Sequence, residues 1–320
     1  MTCITAVHGI AHQGSQSPFV VESVILLDGA LGTELSRRGH DLTDALWAAR
    51  LLLDDPAAIE TVHRDYFAAG ADIATTASYQ ASYTGFAARG LSHDDTSMLL
   101  RRSVEVARRA QRNGASPATT RVAASVGPYG AILADGAEYH GNYGLSDAEL
   151  RDFHRERLHV LWSAAPDLLA CETIPSLQEA RSILAVLHEI PAASAWMSFS
   201  SRDGAHTGAG DPIADVARAL DREPQLVAIG VNCCPPNRVE PLVRAIRSGT
   251  SKPIVVYPNS GEVWNATSRD WDGAPAKRRL ADWAPDWIAA GATWIGGCCR
   301  STPDDIRARR NAMHPHARRV

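Results

Sequence analysis

Eight short apolar runs, each followed by an amphipathic stretch, set the architecture open to this chain. The runs are 24–28 (VILLD), 72–76 (DIATT), 121–127 (RVAASVG), 167–172 (DLLACE), 193–199 (ASAWMSF), 226–232 (LVAIGVN), 253–257 (PIVVY) and 293–297 (TWIGG). Most are continuous rather than alternating, the pattern of parallel strands buried on both faces. Helical periodicity fills the gaps, for example over 147–164 and 176–189. Ser146 with Glu149, and Ser176 with Glu179, have the spacing of a capping box, and Thr302–Pro303 places proline at a first helical position. Eight βα units predict an α/β fold of the (β/α)8 TIM-barrel type. A doubly wound open sheet is the runner-up, but no G-x-G-x-x-G follows the first run.

A barrel commonly needs ~250 residues, so the 320 present accommodate one domain, expected over 21–315. Residues 1–20 are expected to be an N-terminal extension. They lack the basic start and continuous apolar segment of a secretory signal. Connections into the strands are short (Gly70–Ala71, Gly291–Ala292), whereas those leaving the strands are long, notably 128–145 and 258–275. Barrel active sites are built from the latter set. Segment 258–275 carries Trp264 and Trp271 among turn formers, which suits either a lid or an irregular surface loop.

Charge excludes some functions. With 32 basic and 36 acidic residues, a net of −4, nothing favours nucleic acid or an anionic membrane, and no apolar run approaches the ~18 residues of a bilayer span. The arginines after residue 306 read as a solvated helix face and tail. Six cysteines in a chain this long are not a disulfide framework. A cytoplasmic location, with thiols kept reduced, is the expectation.

Three of those cysteines carry the chemistry. Cys233 follows the sixth run and Cys298–Cys299 follow the eighth, so strand ends should bring them together. Three thiolates and an open fourth vertex describe a catalytic rather than a closed structural zinc site. Cys234 should point away from that group, while Cys171 reads as a buried strand residue and Cys3 as part of the tail. A disulfide between the vicinal Cys298 and Cys299 is the competing arrangement.

The segments D-G-A-L-G-T-E-L (28–35), T-A-S-Y-Q-A-S (76–82), S-V-G-P-Y-G-A (125–131), L-A-D-G-A-E-Y (133–139), E-T-I-P-S (172–176), G-V-N-C (230–233), Y-P-N-S-G-E (257–262) and G-G-C-C (296–299) resemble the homocysteine S-methyltransferase family. The likeness covers nearly the whole chain after residue 24. It implies Zn2+ on Cys233, Cys298 and Cys299, L-homocysteine as acceptor, and Asp28 with Glu172 holding the substrate ammonium. The G-P-Y-G-A-x-L-A-D-G-x-E-Y stretch resembles the branch that uses S-methylmethionine, sometimes S-adenosylmethionine, rather than betaine.

Physical chemistry supports the same assignment. A free thiol with pKa near ~8.5 is only a few per cent ionised at neutral pH, and zinc removes the proton outright. A thiolate-rich site keeps the substrate sulfur electron-rich, so the nucleophile is the zinc-activated substrate thiolate. No separate general acid or base is expected, because the leaving group is a neutral thioether. Asp28 and Glu172, at the ends of the first and fourth runs, reach one rim and suit an ammonium. Backbone amides around Gly29 and Ala30 are candidates for the carboxylate. Trp47, Tyr79 and Tyr129 offer aromatic faces to a cationic donor, and Asn232 is placed to position the cysteine loop. No histidine sits at a strand end, and His140 and His206 fall in the long loops.

Competitors remain. A zinc hydrolase would use histidine and carboxylate ligands, and a zinc-storage or redox thiol protein would have no need of Asp28 and Glu172 on one rim. A betaine-type methyltransferase differs only in its donor. The homocysteine half of a cobalamin enzyme would need folate and cobalamin modules from elsewhere. No obligatory protein partner is evident.

Overall fold

The computed structural model describes residues 24–42, 47–265 and 270–313, and of Trp47, Val263 and Asp270 the backbone alone. The expected extension over 1–20 lies outside these residues. In chain order the strands are β1 (Ile25–Leu26), β2 (Ile73–Thr75), β3 (Arg121–Val126), β4 (Leu168–Ile174), β5 (Ala195–Phe199), β6 (Leu226–Asn232), β7 (Ile254–Tyr257), β8 (Val263–Asn265), β9 (Asp270–Asp272) and β10 (Trp294–Ile295). Eight of them form one parallel sheet in the order β1-β10-β7-β6-β5-β4-β3-β2. A parallel bridge from Leu27 to Ile73 joins its two edges. The sheet therefore closes into the expected (β/α)8 barrel, with a strand at each of the eight apolar runs.

Closure creates two concentric cores, which is why the strand sequences are apolar on both faces. The larger core lies between the sheet and the helices around it. The inner one fills the barrel with Trp196, Trp294 and Tyr257 packed against the small Ala123, Ala170 and Ala228. Trp196 and Trp294 meet edge to face with centroids 5.9 Å apart. Large side chains facing small ones fill a barrel without voids.

Helix starts follow the sequence signals with one exception. Ser146 and Glu149 form a reciprocal capping box at helix Asp147–Ser163, and helix Pro303–Met313 opens on its proline. Ser176 accepts the Glu179 amide at 3.1 Å, but the Glu179 carboxylate does not return the bond. It is fully buried and binds the Tyr129 amide and His154. The second unexpected element is the antiparallel ribbon β8–β9 inside 258–275. Three-residue strands are too short for alternation to reveal them. Among the described residues no helix is long and apolar enough to cross a membrane.

Candidate active site

The ends of β6 and β10 flank the end of β7, and the chain turns there to bring three sulfurs together. Cys233 adopts a left-handed conformation (φ 49°), and its amide donates to the Tyr257 carbonyl at 3.1 Å. The Cys298 amide donates to the Pro258 carbonyl at 2.9 Å. Cys299 Sγ lies 3.6 Å from Cys233 Sγ and 4.0 Å from Cys298 Sγ. Zn–S bonds of ~2.3 Å in tetrahedral geometry demand S···S edges of about 3.8 Å, so both spacings fit a metal. Cys233 and Cys298 are joined as a disulfide, their Cα atoms 5.5 Å apart. The pairing is not the vicinal one considered from sequence. A metal therefore requires the reduced trio, a group whose ligand atoms all lie within 4.8 Å of one another. Burial pushes the Cys299 thiol up to about 12, reinforced by nearby Glu138 and Glu172, so a cation is needed to make it a thiolate. Cys234 packs into the outer core, as does Cys171.

Two carboxylates face the same cavity, Asp28 just beyond β1 and Glu172 in β4. Asp28 accepts the Thr75 amide at 2.8 Å and the Thr75 hydroxyl at 3.1 Å. Glu172 accepts the Ser125 hydroxyl. Burial raises both, Asp28 well above the usual carboxylate range and Glu172 to about 7, against the lowering effect of those hydrogen bonds. The aim of Glu172 comes from a register shift between β4 and β5 over Cys171–Ile174 and from left-handed Thr173 (φ 58°). A β-branched residue adopts that conformation only when its surroundings impose it. Asn232 does so: its Oδ1 accepts the Thr173 amide and its Nδ2 donates to Thr173 Oγ1, each at 2.7 Å.

A hydrogen-bonded hub ties the Asp28–Ala30 turn to the cysteine loop. Tyr66 donates its hydroxyl to the carbonyls of Ala30 (3.0 Å) and Ser301 (3.1 Å), and Ser301 Oγ donates to the Cys298 carbonyl at 2.6 Å. Gly29 allows this approach, because a Cβ there would lie 2.7 Å from Ser301 Oγ and 2.9 Å from the Tyr66 ring. The Ala30 amide, expected to serve a substrate carboxylate, donates to Ser301 Oγ at 3.2 Å.

The other residues singled out from sequence separate into two groups. Tyr79 lines the cavity together with Asp28, Gly29, Ala30, Glu172 and the three cysteines. Tyr129 does not; its ring packs on Tyr143 and Phe153 with centroids 5.3 and 5.1 Å away. Asn232 is wholly buried and acts through Thr173 rather than at the cavity. The Trp47 side chain lies outside the described residues, although neighbouring Ala48 and Ala49 line the site. His140 and His206 are absent from the lining. Sequence reasoning did not single out Glu138, Tyr139 or Tyr257, and named Trp271 only as part of a possible lid; all four line it. The first two lie in the L-A-D-G-A-E-Y motif, so a signal was present but carried no side-chain direction.

Residues 25–313 match the family model described as homocysteine S-methyltransferase. The chain belongs to that family. It is 47% identical over 291 residues to homocysteine S-methyltransferase YbgG of Bacillus subtilis (strain 168), covering 89% of this chain and 92% of the relative. The metallated form of the homocysteine methyltransferase MmuM from Escherichia coli superposes with a TM-score of 0.82 at 44% identity, over 91% of this chain and 96% of that one. The oxidised form of the same enzyme superposes with a TM-score of 0.82 at 46% identity, over 90% and 95%. Within this family, then, one barrel has been captured both with metal and oxidised, and the cysteine group described above is chemically suited to either condition.

Proposed function

We propose that this chain transfers a methyl group from a sulfonium donor, S-methylmethionine or S-adenosylmethionine, to the sulfur of L-homocysteine, giving methionine. One observation carries the reading in a chain of this family: three cysteine sulfurs with metal-site spacing open onto the same cavity as two buried carboxylates. Cys233, Cys298 and Cys299 would hold Zn2+, the borderline-soft ion suited to thiolates. Zinc, when bound, supplies acidification of the substrate thiol at neutral pH. Such chemistry needs reduced cysteines, which places the protein in a reducing compartment such as the cytoplasm.

The protein's own residues do the rest. Asp28 and Glu172, oriented by Thr75 and Ser125, grip the homocysteine ammonium, and the Gly29 amide is left to meet its carboxylate. Tyr79, Tyr139, Tyr257 and Trp271 present aromatic surface to the cation and displace water. The thiol proton leaves to solvent, and the thiolate then attacks the methyl carbon in line. A new C–S bond forms as the donor's methyl–sulfur bond breaks, and the departing sulfur keeps the electron pair as a neutral thioether. Opposite charges annihilate, so exclusion of water favours the step. No proton donor is required, because the leaving group departs as a neutral thioether.

The test is methionine formation from homocysteine with S-methylmethionine, S-adenosylmethionine and betaine, each with and without zinc chelation, in reduced protein. Turnover with a sulfonium that stops on chelation is expected. No turnover with any donor in zinc-loaded protein, or turnover indifferent to chelation, would overturn the reading. Efficient turnover with betaine would move the chain to the ammonium-donor branch.

Glu172→Gln separates binding from stability. The neutral amide loses a charge-assisted hydrogen bond of about 1.5–3 kcal/mol, so the KM for homocysteine should rise about 10- to 100-fold. Stability should move the other way. Burial raises the carboxyl from 4.5 to about 7, so its contribution is favourable below the unfolded value and is lost as pH rises through 7. At pH 8 the buried carboxylate costs on the order of 3 kcal/mol. The substitution should therefore raise the melting temperature of ligand-free protein at pH 8, and much less at pH 5. An unchanged homocysteine KM would remove Glu172 from the acceptor site.

A further inference from the structure

The cavity holds one carboxylate more than the acceptor requires. Asp28 and Glu172 are engaged by Thr75 and Ser125 and together serve a single ammonium. Glu138 is the third, in the short turn Ala137–Tyr139 after β3. It lines the same cavity and is 8% exposed. Its Oε2 is buried without a hydrogen-bond partner, and no ion pair reaches it among the described residues. A buried carboxylate in that condition is costly unless a cation meets it. No lysine, arginine or histidine among the described residues lines the cavity, so no protein cation meets it there.

The loop keeps Glu138 from retreating. Ser200 Oγ donates to the Glu138 carbonyl at 3.0 Å, and the Ala137 amide donates to Asp135 Oδ1 at 3.0 Å. Upstream, the buried Glu179 accepts the Tyr129 amide at 2.6 Å while pairing with His154 at 2.9 Å. Gly130 and Gly208 press against the turn so closely that a Cβ on either would come within 2.5 Å of the backbone at Glu138 or Tyr139. Four chain segments thus hold at the cavity wall a carboxylate with one oxygen unpartnered, beside the Tyr139 ring.

We infer that Glu138 is the charge partner of the donor's sulfonium centre and so selects a positively charged methyl donor. The inference rests on the function proposed above and assigns a second, separate cation subsite within it. Its kinetic signature follows from the charge balance. The sulfonium charge fades in the transition state and is gone in the thioether, so the contact favours the bound donor over the transition state. It should lower donor KM, leave kcat no higher than it would be without the contact, and assist product release.

The experiment uses Glu138→Gln, reduced and zinc-loaded, with the KM values for S-methylmethionine and homocysteine measured separately. The donor KM is expected to rise at least about 10-fold, as for a lost charge-assisted hydrogen bond, with the homocysteine KM within about twofold and kcat undiminished. Inhibition by methionine, which lacks the sulfonium charge, should not change. An unchanged donor KM, or a rise in the homocysteine KM instead, would overturn the assignment; a fall in kcat with both KM values shifted would mark a merely structural role. Calorimetric binding of S-methylmethionine to wild type and variant needs no turnover. Loss of binding in the variant therefore supports Glu138 even if methyl transfer is never seen, whereas equal binding rejects it. Should the glutamine variant fail to fold, Glu138→Asp, which retracts the charge by one methylene, should raise the donor KM alone.

Discussion

Replacing Cys299 with alanine should abolish stoichiometric metal binding and slow methyl transfer by about a thousandfold or more, with the barrel intact. The loss has two sources. Without a metal only a few per cent of the homocysteine thiol is ionised at neutral pH, which costs about ten- to thirtyfold. The substrate sulfur also loses its fixed position, and misplacement near a reacting centre can cost a further ~100-fold. Cys299 is the informative choice because it takes no part in the Cys233–Cys298 disulfide, so its removal leaves that covalent link unaffected. Cys298→Ala should give the same loss but also removes the disulfide. Zinc content after reduction and single-turnover methionine formation are the readouts, with circular dichroism to confirm the fold. A Cys299→Ala protein that keeps one zinc and the wild-type rate would dismiss the three-sulfur site.

Gly230→Ala should cost the protein its fold. Gly230 lies in β6 opposite Val255 of β7, and a Cβ there would overlap the Val255 carbonyl. The obstacle is backbone inside a closed barrel, so no rotamer change relieves it, and spreading β6 from β7 would break the ladder that carries Cys233. Overpacking of this kind exceeds the usual 1–3 kcal/mol, and about 4 kcal/mol or more is a large share of the 5–15 kcal/mol that holds a typical domain together. The expected result is insoluble protein or a melting temperature lowered by many degrees. Gly204→Ala is the control, since a Cβ there meets only Pro241 at 3.5 Å. A Gly230→Ala protein with wild-type solubility and melting temperature would contradict the packing described for β6.

The stability and activity predictions meet at the carboxylates. Asp28, Glu138 and Glu172 are all raised by burial, and all face a cavity without a protein cation among the described residues. The protein bears that cost in the ligand-free state, and cationic substrates relieve it on binding. Function is thus stored as local instability.

How much of this was legible beforehand differs by feature. The eight strands were, because closure of a parallel barrel demands apolar runs of a length and spacing that periodicity reveals. The cysteine trio was, because Cys233 and Cys298–Cys299 follow two such runs and a barrel gathers the ends of its strands. Asp28 and Glu172 were legible for the same reason. The β8–β9 ribbon was not, because its strands are three residues long. Glu179 followed a capping signal at its amide but not at its carboxylate, which Tyr129 and His154 captured through the fold.

What the sequence determined by itself was therefore local and additive: strand, helix, and which chemically active residues stand at strand ends. Tertiary structure alone decided side-chain direction in the long loops. It turned the Tyr129 ring into an aromatic cluster and Glu138 and Tyr139 toward the cavity, committed the Ala30 amide to Ser301, and paired Cys233 with Cys298. Each of those outcomes depends on contacts between segments far apart in the chain. A strand or helix repeats one geometry that its own residues can specify, whereas an irregular loop takes its conformation from whatever packs against it.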